Sequence, residues 1–504
     1  MRSPSSSTSL PPPVGGWDTQ NALADMPDDR AVILDNWFPD TDLVITRKGC
    51  TSHATGMSGA VETLFDYNSL TGSASLFAAN DGKIYDVTSS GAVGAAVVSG
   101  LSNDRWQQVQ IGTAGGQFLV AVNGEDTPIT YNGTTWGTAS ITGPTAASLV
   151  WCNLHQRRLW FGESGSLSAW YLPVNSIGGT AVEFSFAGVA RLGGSITAMG
   201  TWTLDSGDGV DDVAVFLTSE GEAIVYAGTD PASSSTWALI GVFRIGRPIG
   251  RRCMMKAGPD LVIVTEDGFL RASDAFRTDR SQSDLVALSS QINKAVNDAV
   301  RTSGSLFGWQ PILYPRGKMM LFNIPQTSTT AHQYVFNTIT GAPTRFTGVN
   351  ALCWNLRGSD IFFGGPDGTV YQFDVGANDN GSDIEVDGLQ SFSYFGSKGR
   401  DKSFKRVEPL FQSSSSPAAA LDLNTDFQIK APTGVPAVSV TGAAKWGVSK
   451  WGIGTWGSVS QIFRGWRSIR GYGRSASLRV RLSTSDAQVS WLSTNFLYVR
   501  GGQR

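Results

Sequence analysis

The sequence predicts an all-β chain: a β-propeller of about seven blades with an N-terminal strap, a C-terminal β domain and one inserted helix. A recurring hairpin unit points to it first. The clearest copy is Ser359 to Gly376, where Pro366-Asp367-Gly368 turns the chain and Tyr371, Phe373 and Val375 alternate with Gln372 and Asp374. A two-residue period puts apolar side chains on one face of a half-buried strand, and glycine reaches the positive φ of a tight turn without a Cβ clash. The period comes second. Strand starts recur near residues 75, 118, 158, 213, 260, 318 and 359, at spacings of 40 to 58 residues; a propeller blade takes roughly 40 to 50. Composition comes third: 59 Gly, 16 Trp and 25 Phe with only 16% charged residues suit tight turns and aromatic-packed strands better than helices.

The N-terminal region, residues 1–59, is read as an arm and lead-in strand. Met1 to Gly16 is rich in Ser and Pro, and Pro11-Pro12-Pro13 favours extended backbone, so this stretch is a flexible arm or a surface-docked strap. Trp37 and Phe38, in Asn36-Trp37-Phe38-Pro39, are candidate assembly contacts.

Residues 60–387 hold the repeated units. Their turns fall at Asp81-Gly82, Asn123-Gly124, Gly165, Glu220-Gly221, Asp267-Gly268 and Asp367-Gly368, with a looser copy from Lys318 to Ile339. Two extras interrupt them. The Asp205 to Asp212 run has close carboxylates but lacks the spacing and distal Glu of an EF-hand loop, so it reads as an acidic hairpin loop rather than a calcium site. From Ser283 to Arg301, Leu285, Leu288, Ile292, Val296 and Val300 recur at helical spacing, which predicts one helix packed on a blade.

After the Asn378 to Asp383 linker, residues 388–504 form the C-terminal β domain, with strands expected at Phe404 to Phe411, Ala420 to Asp426, Leu478 to Leu482 and Val489 to Tyr498. Trp446, Trp451 and Trp456 recur every five residues, a period that fits neither helix nor strand. They are either a cap on the β core or a docking surface, since exposed Trp is enriched where proteins meet.

Net charge is −3, but Ser397 to Arg504 carries 16 Lys and Arg against 5 Asp and Glu. A basic domain beside an acidic remainder suits either nucleic-acid phosphates or an acidic protein neighbour. Arg464, Arg467, Arg470 and Arg474 interleave with Trp466 and Tyr472, a pattern that also suits single-strand stacking. The neighbour is the preferred reading, with these residues as subunit contacts.

The chemistry of catalysis is sparse. His53, His155 and His332 lie outside any HExxH or nucleophile-elbow context, and no phosphate loop or Rossmann glycine pattern occurs. Cys50, Cys152, Cys253 and Cys353 are too far apart for a zinc or disulfide module and are expected to be reduced, buried thiols. The chain is therefore expected to be a non-enzyme with no metal and no cofactor. No apolar run approaches the roughly 20 residues that span a bilayer, and the start lacks signal-peptide order, which predicts a soluble chain made in the cytosol.

Several motifs together resemble a known family. They are the Gly16-Trp17 start, Met26-Pro27, Asn36-Trp37-Phe38-Pro39, the Arg47-Lys48-Gly49 strand end, the Gly364 to Gly368 hairpin, the Trp block and the closing Tyr498 to Gly502. In this order they are similar to tail nozzle proteins of short-tailed bacteriophages, the tail tubular protein B family. That resemblance implies a structural virion protein of the phage tail, assembled in the host cytoplasm as a homo-oligomeric ring of six. The ring would sit below the portal and the head-to-tail adaptor ring, beside tail fibre or tailspike proteins, and would conduct and gate duplex DNA without sequence-specific binding. A wall rich in Lys and Arg would hold phosphate at every step, which is a second reason to place the basic domain at protein contacts. The alternatives are a receptor- or carbohydrate-binding propeller and a tail-associated cell-wall hydrolase.

Overall fold

The computed structural model describes residues 5–72, 74–203, 212–432 and 460–501. These residues form mostly β-strands in many sheets. The Asp205 to Asp211 part of the acidic run and all three tryptophans of the five-residue repeat lie outside them.

Antiparallel strand groups follow one another from residue 61 to residue 373, most as separate sheets and the group at 310–346 as part of a nine-stranded sheet. The first is built on Val61–Asn68, Ala74–Asn80 and Lys83–Asp86, the second on Gln107–Thr113, Gly116–Val122, Ile129–Tyr131 and Trp136–Thr138. Later sheets start with Leu149–His155, Ile196–Trp202, Met254–Ala257, Gln310–Tyr314 and Cys353–Arg357. The recurring dipeptide turns join the second strand of a sheet to the third, and those second strands begin at Ala74, Gly116, Arg158, Val213, Asp260, Met319 and Asp360. At the first such turn Asp81 and Gly82 have φ of 52° and 68°, the left-handed pair that a two-residue hairpin demands.

The first strands lie side by side. From Gln107–Thr113 onward each touches the first strand of the next sheet, and Cys353–Arg357 lies beside Val61–Asn68. The sheet of Cys353–Arg357 takes a further strand from far upstream: Cys50–Thr55 pairs antiparallel with Val370–Phe373. A bulge between Val370 and Tyr371 in this pairing interrupts the strict alternation that the sequence predicts. Val370 and Phe373 are buried, whereas Tyr371 is half-buried with its hydroxyl donating to Asp367.

The helix expected over Ser283 to Arg301 is broken. Only Ser283–Val286 and Asn293–Ser303 are α-helical, with a 3-10 turn at Ser290–Ile292. Between them the backbone is claimed by the neighbouring strand: Leu288 N–H donates to the Phe269 carbonyl, and Phe269 N–H donates to Ser289 Oγ. The first bond takes the Leu288 N–H out of the i to i−4 ladder, and the second engages only the Ser289 side chain.

The two ends of the chain are woven together. Ser5–Leu10, Val44–Thr46 and Lys402–Ser413 all pair with Val489–Arg500 in one sheet. In another, Arg30–Asp35 pairs with Ile384–Gln390, which pairs with Ala476–Thr484. The Ser-rich start is thus a sheet strand, and residue 387 falls inside Ile384–Gln390.

Arg47 ties the N-terminal segment to Thr347 and Asp379. Its side chain is buried and its guanidinium donates to Asn36 Oδ1 (2.8 Å), the Lys48 carbonyl (3.0 Å), the Thr347 carbonyl (3.0 Å) and both oxygens of Asp379 (2.8 and 2.5 Å). Nearby, a Cβ on Gly49 would lie 1.7 Å from the Asn378 carbonyl oxygen, so only glycine fits there.

Candidate functional site

Residues 460–474 run along the outer edge of Lys402–Ser413. Gln461–Phe463 pairs at one end and Gly471–Gly473 at the other, with an isolated bridge between Arg467 and Val407 midway. Because this segment is held by backbone bonds, its side chains project from a strand edge. Ile462, Trp466 and Tyr472 are 60%, 41% and 61% exposed, and Arg464, Arg467, Arg470 and Arg474 are exposed with them. Arg474 meets Asp401 at 3.3 Å, and the Tyr472 hydroxyl donates to the same carboxylate at 3.0 Å. The side chains of Arg464, Arg467 and Arg470 make no hydrogen bond or ion pair among the described residues. Lys405 and Arg406, exposed on the strand beneath, add to the same basic edge.

Trp37 and Phe38 are placed elsewhere. Trp37 is fully buried with its ring centroid 5.7 Å from that of Trp491, and Phe38 is buried against Phe346. Both rings are core groups of their own chain. A Trp beside a Pro turn is large enough to fill an interior, and the strand pairing of Trp37–Pro39 with Val44–Thr46 turns it inward.

A second site was not legible in the sequence. Where the first strands converge they border an open cavity of about 820 Å³, lined by residues of all the first strands from Val61–Asn68 to Cys353–Arg357. Amide side chains stitch neighbouring first strands together around it. Gln108 Nε2 and Asn355 Nδ2 both donate to the Leu64 carbonyl (3.2 and 2.8 Å), Asn153 Nδ2 to Met199 (2.5 Å), and Gln310 Nε2 to Trp354 (2.8 Å). The recurrence of Asn or Gln in these first strands was the available signal.

At one side of the cavity Arg252 reaches from one sheet to two others. It donates to the Glu62 carbonyl (3.1 Å), Thr63 Oγ1 (2.7 Å) and the Trp106 carbonyl (2.9 Å). The Phe307 ring lies between the guanidiniums of Arg105 and Arg252, 4.7 and 5.1 Å from its centroid, a geometry that favours cations over the ring face. Arg105 itself is held by both oxygens of Glu62 at 3.1 Å.

Titratable groups nearby respond to burial. The Asp104 carboxyl is pushed up to about 6, chiefly by burial and further by Glu62, with the Gly82 N–H bond opposing. Its folded value lies above its ordinary one, so its favourable contribution is present at low pH and is lost as pH rises from about 4 through about 6. Asp104→Asn should therefore gain stability relative to the wild type across that window, by about 1 kcal/mol after allowance for partial exposure. Urea denaturation at pH 4.5 and 7.5 measures this, and a difference independent of pH would refute it.

Burial pushes the buried His155 imidazole down to about 4, and His53 and His332 below their ordinary value. The four cysteines are buried and unpaired, and burial drives all four thiols up, away from the nucleophilic thiolate. The turn carboxylates are engaged locally: Glu220 with Arg247, Asp267 with Arg280, and Asp367 with Tyr371. Among the described residues no three of His, Cys, Asp and Glu are close enough to hold a metal ion, and no helix is long and apolar enough to cross a membrane.

No protein-family model and no curated protein matches the chain. Among solved structures it is similar to the crystal structure of the computationally designed Ika8 protein, at 12% identity over 64% of this chain and 100% of that one, with a TM-score of 0.37. It is also similar to two crystal structures of BBS1N in complex with ARL6DN. The mercury-soaked one is 9% identical over 65% of this chain and 97% of that one, with a TM-score of 0.41. The lead-soaked one is 9% identical over 66% and 99%, with a TM-score of 0.40. Likeness at this level says nothing about function.

Proposed function

We propose that this chain is a structural protein of a short-tailed phage virion, a tail nozzle subunit that forms a ring of six below the portal and adaptor. The ring serves as conduit and gate for duplex DNA and carries tail fibre or tailspike proteins alongside. The reading rests on the ordered motifs from Gly16 to Gly502. Within it, the finer fold is a closed seven-bladed propeller whose last blade takes Cys50–Thr55 as its fourth strand. The pairing of that strand with Val370–Phe373 and the shared cavity of the first strands support such a closure.

The observation that carries the assembly is the exposed edge at 460–474, whose Arg464, Arg467 and Arg470 find no counter-charge among the described residues. A closed ring uses heterologous contacts, one patch meeting a different patch on the next copy. A basic edge meeting an acidic neighbour orients such docking, and Trp466 and Tyr472 supply the apolar contact that binding hot spots favour.

Solution mass of the protein, alone and with the adaptor ring of the same phage, tests this. A monomer that becomes a ring of about six on the adaptor supports it, and a monomer unchanged by the adaptor sinks it. Reversing Arg464, Arg467 and Arg470 to Glu should abolish ring formation while leaving the melting temperature nearly unchanged, since exposed charges contribute little to folding. Normal assembly by that variant would remove this edge from the interface.

A further inference from the structure

Three Asn-Gly pairs turn the chain: Asn123-Gly124, Asn132-Gly133 and Asn380-Gly381. Such a pair is labile in water, because a glycine nitrogen has no side chain beside it to hinder attack on the preceding amide at Cγ. The fold sets the rate through three things: whether the attacking N–H is free, whether the amide is pinned, and whether water reaches it. The three pairs differ in all of them.

Asn123 is 2% exposed, and its Nδ2 donates to the Asp126 carboxylate at 2.6 Å. Attack on its amide needs an anionic backbone nitrogen, which burial and a carboxylate at that distance both disfavour. Asn380 and Gly381 are exposed, but the Gly381 N–H donates to Asn378 Oδ1 at 2.8 Å, and Asn380 Oδ1 accepts the Ser52 N–H at 3.1 Å. The nucleophile is held in a hydrogen bond there, and the electrophile is pinned to a distant segment.

Asn132 has neither protection. It opens the turn between Ile129–Tyr131 and Trp136–Thr138, where Asn132, Gly133, Thr134 and Thr135 are all exposed. The Gly133 N–H makes no hydrogen bond among the described residues. Asn132 Oδ1 accepts the Thr134 and Thr135 N–H groups at 2.9 and 2.8 Å. Two donors on that oxygen stabilise the negative charge that collects there during attack. Asn123 Oδ1 has a similar pair of donors, from Glu125 and Asp126, so burial and the carboxylate are what separate these two sites. The fold also requires the glycine: Gly133 has a φ of 93°, and a Cβ on it would lie 2.6 Å from the Tyr67 hydroxyl oxygen.

We infer that Asn132 is a site of spontaneous deamidation, the one of the three pairs that reacts in the folded protein. Hydroxide takes the Gly133 amide proton, the nitrogen bonds to Asn132 Cγ, and the Cγ–Nδ2 bond breaks as ammonia leaves with a proton from water. Water then opens the resulting succinimide at either carbonyl, giving aspartate or isoaspartate and one new negative charge. Isoaspartate routes the backbone through the former side chain, which lengthens the turn beside Trp136, a ring whose centroid lies 5.1 Å from those of both Phe77 and Tyr131.

The experiment incubates the full-length protein in mildly alkaline buffer and follows its three Asn-Gly peptides by mass spectrometry after digestion, once folded and once unfolded in urea. In the folded protein the Asn132 peptide is expected to convert at least about tenfold faster than the other two. In urea all three should convert at similar rates, since the protections of the fold are gone. Asn132→Asp, which keeps an acceptor for both turn N–H groups, should fold normally and leave the other two peptides slow. The inference is overturned if Asn123 or Asn380 converts as fast as Asn132 in the folded protein, or if folded Asn132 stays intact while the unfolded chain converts. It is equally overturned if Asn132 keeps its lead in urea, because the sequence and not the fold would then set the order. Every readout is taken on the isolated chain, so this site and the ring reading fail separately.

Discussion

Arg47→Met is expected to destabilise the protein by about 3 to 5 kcal/mol, the cost of breaking a buried ion pair by removing one partner. The guanidinium is 2% exposed and its five donor bonds reach Asn36, Lys48, Thr347 and Asp379. Removing it leaves the Asp379 carboxylate without its cation and takes the guanidinium bond from the Lys48 and Thr347 carbonyls, a desolvation cost with nothing in return, while Asn36 Oδ1 keeps the Thr347 N–H. Asp379→Asn should cost less, because an amide still accepts one bond, but it strands the cation. The double variant Arg47→Met with Asp379→Leu should recover part of the loss, since no unpaired charge then remains. Urea denaturation of the three variants measures the couplings. If Arg47→Met costs under about 1 kcal/mol, the network is not what holds the N-terminal segment to Thr347 and Asp379.

Trp37→Ala is expected to be as damaging, about 3 to 5 kcal/mol, because a buried aromatic leaves a cavity that its neighbours fill only in part. Its ring packs on Trp491, and Gly388 makes room for both: a Cβ there would lie 2.9 Å from the Trp37 indole nitrogen and 3.1 Å from Trp491. Trp37→Phe should cost distinctly less, since the indole N–H has no hydrogen-bond partner to lose. The measurement also separates two roles for this residue. A core role lowers the unfolding free energy of the isolated monomer, whereas an intersubunit role would leave the monomer intact and reduce only assembly. A stable Trp37→Ala monomer would contradict the packing described above.

Trp37, Phe38 and Trp466 look alike as candidates for contact. Strand pairing turns the first two inward and leaves the third at a sheet edge. Burial is decided by which strand lies on which face, and no local pattern around a single tryptophan carries that information.

What the sequence determined by itself is the local β grammar. Asp-Gly and Asn-Gly turns recur where second strands hand over to third strands, because the left-handed backbone that such turns need is cheap only for those residues. The spacing of the repeats and the basic character of the last hundred residues were equally plain, being properties of composition and order. Tertiary structure decided the rest. Cys50–Thr55 completes the sheet of Val370–Phe373 across more than three hundred residues, and Ser5–Leu10 lies along Val489–Arg500; long-range pairing depends on register and shape, which no window of sequence contains. The helical pattern over Ser283 to Arg301 yielded to a neighbouring strand that took the Leu288 N–H and the Ser289 hydroxyl oxygen. The cavity exists only because first strands from many sheets converge, and no single strand forms it.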